Sequence, residues 1–240
     1  MRKKAVRRAS LDNDASAQLQ PWLMGHAQDL PWVPVLPETL LRLELEAQEH
    51  AVDLRRMARV VQSDLGATVQ VLRHAGLEFG CMDVRLARIE DCICSLGVAA
   101  CMDAIGAETA GQNYRCGVVT EIWAHSREIA HFARLAAEET DHVNPDDAYL
   151  VGLLHTIGLL HNALHWSGSN RPVNATLAGL QMARQWLLPN AVVEYFREVD
   201  REECATPWPA IVQKAHRMAS RSSLHFPLEQ EMRPRLYRAV

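Results

Sequence analysis

Histidine offers the widest choice of chemistry in this sequence, because 11 of the 240 residues are of this type. A neutral imidazole is a good ligand for zinc, iron or nickel and can also take up or release a proton. His155 stands in the apolar string GLLHTIGLLH, which runs from Gly152 to His161. A histidine in such a string must find a hydrogen-bond partner or bind a ligand, since burying an unpaired polar nitrogen costs free energy. The string alone is compatible with either outcome.

Other patterns that carry catalytic chemistry are missing from the sequence. It contains no glycine-rich phosphate loop, no GxSxG string and no paired catalytic carboxylates. The cysteines form no CxxC pair, and we interpret them as reduced, buried thiols of a cytoplasmic protein. They are Cys81, Cys92, Cys94, Cys101, Cys116 and Cys204.

Helices are predicted to position these residues. Ala and Leu account for 61 residues and the β-branched Val, Ile and Thr for 35, a bias that favours helix over sheet. Apolar residues recur at helical spacing, and we predict an all-α, multi-helix bundle. The first three predicted helices begin at Pro37, after Asp53 and after Ser63 or Asp64, and Gly97 divides the next two. A long helix is predicted from about Gly117 to Glu139, and another from Asn144 and Pro145 to about Leu160. Three more are predicted near 173–187, 189–198 and 207–220.

The charge distribution argues against a broad nucleic-acid surface. Five of the 25 basic residues lie within the first eight positions, which leaves 20 basic against 29 acidic residues, a charge of −9, for the rest of the chain. We predict that residues 1–26 form a basic, flexible arm, and we do not expect nucleic acid as a partner. No apolar run approaches the ~18 residues of a membrane span, so we expect no membrane partner and a cytoplasmic location.

Several strings together resemble the HDOD domain, the HD-related output domain of bacterial signalling proteins. GLLHTIG is similar to the GLLHDIG string of the HD superfamily, and WAHS is similar to the element that carries the first HD histidine. Further similar strings are LPWVPVLPETLLRL, VVQSDLGATVQVLRHAG, RIEDCICSLGVAACMDAI and ARQWLLPNAVVEYF. The resemblance implies an HD-domain-like part (113–220) packed on an N-terminal helical part (27–112), with a tail at 221–240.

The resemblance also implies a pocket that has lost its acidic ligands. Catalytic HD enzymes hold metal with a histidine, a His-Asp doublet and a later aspartate. His125 matches the first histidine and His155 the doublet histidine, but Thr156 replaces the doublet aspartate and His216 the last aspartate. Asp200 falls where some members have a histidine pair. These five residues form the implied vestigial pocket, in which we expect no catalytic residue.

Two readings of this pocket stay open. Without the carboxylates, a dinuclear centre for hydrolysis is not expected, and the histidines would fill the pocket with hydrogen bonds. We therefore expect no cofactor. The alternative is one metal such as zinc or nickel, held by His125, His155, Asp200 and His216.

The resemblance implies a non-catalytic signalling or regulatory module that acts by binding a partner protein or a small ligand. The HDOD-like part leaves only about 26 residues before it and 20 after it, so we expect signals to come from a separate protein. The alternative function is a metal-dependent phosphohydrolase acting on nucleotides or cyclic dinucleotides. The identity of the partner, the ligand and the oligomeric state are not predicted.

Overall fold

A computed structural model describes residues 32–79, 88–106, 117–164, 166 and 173–220. Their regular structure is helical throughout, which confirms the all-α prediction, and none of these helices combines the length and apolarity that a membrane span needs. The basic arm, the tail, Cys81 and Cys116 lie outside the described residues. The helices are α1 (Pro37–Ala47), α2 (Leu54–Gln62), α3 (Leu65–Phe79), α4 (Ile89–Leu96), α5 (Val98–Gly106), α6 (Gly117–Glu138), α7 (Pro145–Leu154), α8 (Ile157–Ala163), α9 (Ala175–Gln185), α10 (Asn190–Glu198) and α11 (Trp208–Ala219).

The predicted helix boundaries follow from local side-chain chemistry. Asp53 accepts hydrogen bonds from two backbone amides in the first turn of α2. Asn144 caps α7 in the same way, and Pro145 takes the first helical position, where its missing N–H has no cost. Gly97 divides α4 from α5 at a φ of 85°, a left-handed conformation that glycine adopts without strain. These caps and breaks are confirmed.

The helices pack in two groups. Helices α1 to α5 pack on one another, and helices α6 to α11 do the same, while α3 packs on α6 between the groups. At this junction Asp64 is fully buried. Its carboxylate accepts hydrogen bonds from the amides of Ala67 (2.9 Å) and Leu36 (2.9 Å) and from the Trp123 indole (3.1 Å). Asp64, rather than Ser63, is thus the residue that caps α3.

Burial and hydrogen bonding act in opposite directions on Asp64. Desolvation raises the pKa of its carboxyl above the ordinary 3.8, whereas the surrounding donors favour the charged form and lower the pKa. Desolvation is the larger effect. The Trp123 indole comes from α6, so this carboxyl ties the first group of helices to the second.

One predicted helix is interrupted in the structure. We predict that the helix after Asn144 runs to about Leu160, but α7 ends at Leu154 and α8 begins at Ile157. His155 caps α7, and its ring is hydrogen-bonded to the carbonyl of Gly152. Side-chain bonds of this kind compete with the helical backbone ladder at a helix end. The apolar spacing continues across the break and therefore does not reveal it.

The prediction of buried cysteines is half wrong among those that the structure describes. Cys92 and Cys101 are buried, and burial raises the pKa of their thiols to about 12 and about 11. Cys94 and Cys204 are exposed. Cys94 lies two residues from Cys92, a spacing that turns the two side chains to different faces of α4. None of these four described cysteines forms a disulfide.

Candidate functional site

Three histidines meet where α6, α7 and α11 pack together. His125 lies in α6, His155 directly follows α7, and His216 lies in the last turn of α11. Helix α6 packs against both α7 and α11, and α11 also packs against α7. Because each pair of these helices is in contact, side chains from all three can reach one pocket.

The three imidazole rings are in mutual contact. The ring centroids are 5.3 Å apart between His125 and His155, 5.2 Å between His125 and His216, and 5.1 Å between His155 and His216. One ring nitrogen from each lies within 4.8 Å of those of the other two. His125 is 1% exposed, whereas His216 is only partly buried.

The hydrogen bond of His155 fixes its tautomer. Its Nδ1 lies 2.6 Å from the carbonyl oxygen of Gly152. A carbonyl only accepts, so Nδ1 carries the proton and donates it. Burial lowers the pKa of His155 well below 6.5, and the neighbouring His216 and His125 lower it further. The ring is therefore neutral, and its Nε2 holds a lone pair. Nε2 is buried and has no hydrogen-bond partner among the described residues.

A glycine allows α7 to come close enough to α6 to place His155. A Cβ atom built on Gly152 would lie 2.8 Å from the Cα of Ala130, 2.8 Å from the Cβ of Ala133 and 2.9 Å from the carbonyl oxygen of Ile129. Real Cβ atoms do not approach backbone this closely. Gly152 thus serves the site twice, through its missing side chain and through the carbonyl that orients the His155 ring.

The hydroxyl of Thr156 forms a hydrogen bond with a residue of α6. It lies 2.5 Å from the hydroxyl of Ser126, the residue that follows His125, and both side chains are buried. Either hydroxyl can donate. The position that the resemblance assigns to a metal-binding aspartate therefore joins α8 to α6 through neutral groups.

Asp200 does not belong to the group of ring nitrogens. It is exposed in the turn that follows α10, and the group of possible metal ligands contains His125, His155 and His216 without it. The nearby acidic residue Glu198 has a structural role, because its carboxylate accepts hydrogen bonds from the amide and the hydroxyl of Thr206. These bonds hold the pKa of Glu198 below its ordinary value and fix the loop before α11. The expectation that Asp200 lines the pocket is corrected accordingly.

The described residues do not fit the dinuclear centre of a catalytic HD enzyme. Such a centre needs carboxylate oxygens that bridge two hard cations. The group found here offers three imidazole nitrogens and no carboxylate. What the arrangement can do chemically is bind one metal through nitrogen or bind a polar ligand.

Comparison of the sequence with models of domain families identifies the family of the chain. The model of the HDOD domain family matches residues 33–166, which is more than half of the chain. The chain therefore belongs to the HDOD domain family, and the resemblance noted in the sequence is confirmed. Among curated proteins, none matches the chain significantly.

Solved structures share the fold. The response regulator MmoQ from Methylococcus capsulatus str. Bath superimposes with a TM-score of 0.62 at 17% identity, over 89% of this chain and 98% of that chain. A fragment of MmoQ superimposes with a TM-score of 0.60 at 19% identity, over 80% of this chain and 88% of that chain. A virulence factor from Campylobacter jejuni superimposes with a TM-score of 0.56 at 16% identity, over 85% of this chain and 80% of that chain. At these identities the likeness concerns the fold.

Sequence reasoning missed the residues that support the pocket. Ser126 was part of the WAHS string, yet its bond to Thr156 spans 30 positions and leaves no local signal. Gly152 opened the apolar string without any sign that its carbonyl would orient His155. The one available signal was the glycine itself, since a glycine on the apolar face of a helix often marks a close approach of two backbones.

Proposed function

We propose that this HDOD protein is a non-catalytic regulatory module of bacterial signal transduction, which acts in the cytoplasm by binding a partner protein or a small ligand. The observation that carries the proposal is the composition of the pocket. Its potential ligand atoms are three imidazole nitrogens, and the hydroxyl of Thr156 is hydrogen-bonded to that of Ser126. Hydrolysis of a phosphate ester by two hard metal ions requires acidic ligands that this group lacks.

The structural neighbours support a role in signalling. MmoQ is named a response regulator, and its fold covers most of this chain. The HDOD domain match supports the same class of module. Since fold by itself does not fix function, the proposal rests on the chemistry of the pocket.

A metal-dependent phosphohydrolase acting on nucleotides or cyclic dinucleotides is the second candidate. The observation in its favour is that three buried or half-buried imidazoles converge in one pocket. A single metal with three histidine ligands and a bound water can generate hydroxide at neutral pH. Such an enzyme would depend on His155.

Turnover assays separate the two candidates. The full chain, purified without a polyhistidine tag and without chelators, is incubated with bis(p-nitrophenyl) phosphate and with cyclic dinucleotides in the presence of Mg²⁺, Mn²⁺, Zn²⁺ or Ni²⁺. We expect product to form at the rate of the protein-free control with each metal. We expect the same rate for His155→Ala.

A matched variant guards against contaminating hydrolases. His131→Gln changes an exposed histidine on α6, the helix that also carries His125, and leaves the pocket intact. Turnover that persists in His131→Gln and disappears in a folded His155→Ala protein would refute the non-catalytic proposal and establish the hydrolase.

A further inference from the structure

We propose that His125, His155 and His216 bind one divalent transition-metal ion of the borderline class to which Zn²⁺ and Ni²⁺ belong. The sequence favours a pocket without metal, and the geometry of the three rings is what leads to the opposite proposal. This inference goes beyond the proposed function, because a regulatory module can bind its partner with or without a metal.

The donor atoms are arranged as metal ligands require. The N–H of the second ring nitrogen of a histidine ligand typically donates a hydrogen bond to a carbonyl or carboxylate oxygen, which fixes the tautomer and the ring plane. His155 does this through Nδ1 and the Gly152 carbonyl at 2.6 Å. Its Nε2 is left buried without a hydrogen-bond partner among the described residues, an arrangement that costs free energy unless a ligand fills it.

The spacing of the rings is close to that of a metal centre. The three ring nitrogens lie within 4.8 Å of one another. Zinc–nitrogen bonds of about 2.0–2.1 Å in tetrahedral geometry require nitrogen–nitrogen separations of roughly 3.3 Å. We expect small rotations of the rings about their side-chain torsions to supply contractions of this size without moving the helices. Binding would thus join α6, α7 and α11 through one ion.

The donor set also selects the kind of metal. Imidazole suits zinc, nickel and copper, whereas magnesium, calcium and manganese prefer carboxylate, carbonyl and water oxygens. No carboxylate belongs to the group of three histidines. We therefore expect Zn²⁺ and Ni²⁺ to bind and Mg²⁺ to compete poorly.

Equilibrium dialysis with elemental analysis tests the inference on the full, untagged chain. After treatment with chelator and its removal, the protein is dialysed against Zn²⁺ alone, with and without excess Mg²⁺. We expect one Zn²⁺ per chain and a melting temperature that rises with zinc concentration, because a ligand of the folded state stabilises it by mass action. We expect Co²⁺ to produce the visible absorption bands of a tetrahedral site.

Three variants show where the metal binds. His155→Gln and, as an independent change at the partly buried position, His216→Gln should each weaken Zn²⁺ binding by at least about a hundredfold, the upper end of what loss of an outer-shell partner costs. His131→Gln, which removes an exposed histidine of α6, should bind zinc like the unaltered chain. Circular dichroism establishes that each variant is folded.

Absence of stoichiometric zinc in the unaltered chain would overturn the inference. An equal loss of zinc binding in His131→Gln and in the two pocket variants would also overturn it, since the bound zinc would then be held by surface histidines. Neither result would affect the turnover experiment, so the metal inference and the proposed function fail independently.

Discussion

Thr156 and His216 stand at the two positions where the resemblance to HD enzymes implies a carboxylate. The hydroxyl of Thr156 is bonded to Ser126, so it links two helices rather than pointing a charge at a ligand. The imidazole of His216 contacts both other rings. One replacement therefore serves packing, while the other supplies a nitrogen donor. The resulting donor set of imidazole nitrogens suits a single borderline ion better than hard cations.

A second residue-scale feature, the buried carboxyl of Asp64, predicts a pH-dependent effect. Because the folded chain holds the pKa of Asp64 above 3.8, it keeps a proton in the pH range just above that value, where the unfolded chain has lost it. The contribution of this carboxyl to stability therefore falls as the pH rises through that range. The Trp123 indole opposes this loss by donating to the charged form.

We expect Trp123→Phe to lower the free energy of unfolding by about 1 kcal/mol more above the pH at which Asp64 ionises in the folded chain than below it, since the lost bond favours the charged carboxylate. Urea unfolding of the variant and the unaltered chain over a series of pH values measures the difference. Trp186→Phe is the matched control, because Trp186 is fully buried and its indole nitrogen has no hydrogen-bond partner in the described part of the chain. A pH dependence equal in both variants would refute the role assigned to Trp123.

At the scale of the helices, the contact between α6 and α7 depends on Gly152. We expect Gly152→Ala to destabilise the chain by about 1–3 kcal/mol, because the added methyl group meets the Ala130 backbone and forces the helices apart. The shift would also move the carbonyl that orients His155. Thermal and urea unfolding measure the loss.

Gly106→Ala provides the comparison for this prediction. Gly106 ends α5, and a Cβ built there meets no atom within 4 Å. Alanine is the better helix former by ~1 kcal/mol, so this variant should be as stable as the unaltered chain or slightly more stable. A Gly152→Ala protein with the stability of Gly106→Ala would show that α6 and α7 do not pack as described.

The helices were predictable where local chemistry sets them. Asp53, Asn144 and Gly97 act on their own backbone neighbourhood, and the predicted starts and breaks agree with the structure. The interruption between α7 and α8 was not predictable, because it accompanies a bond from the His155 ring to Gly152 that apolar spacing does not encode. The exposure of Asp200 likewise depends on how α10 ends, which alignment to a family pattern does not reveal.

At the scale of the molecule, the pocket needs helices from both inside and outside the segment that matches the family. His125 and His155 fall within residues 33–166, whereas His216 comes from α11, well beyond that match. The loop before α11 is held by Glu198 and Thr206, and the Trp208 indole donates to Glu194 at 3.0 Å. The ring of His216 is thus positioned by the packing of the C-terminal helices.

The pocket is proposed to hold one ion on three imidazoles and not to form a two-metal hydrolytic centre. Anomalous X-ray diffraction from crystals of the zinc-treated chain, recorded on both sides of the zinc absorption edge, tests it directly. We predict a single peak bonded to His125, His155 and His216. No peak between these rings, or two peaks bridged by carboxylate oxygens, would contradict the account.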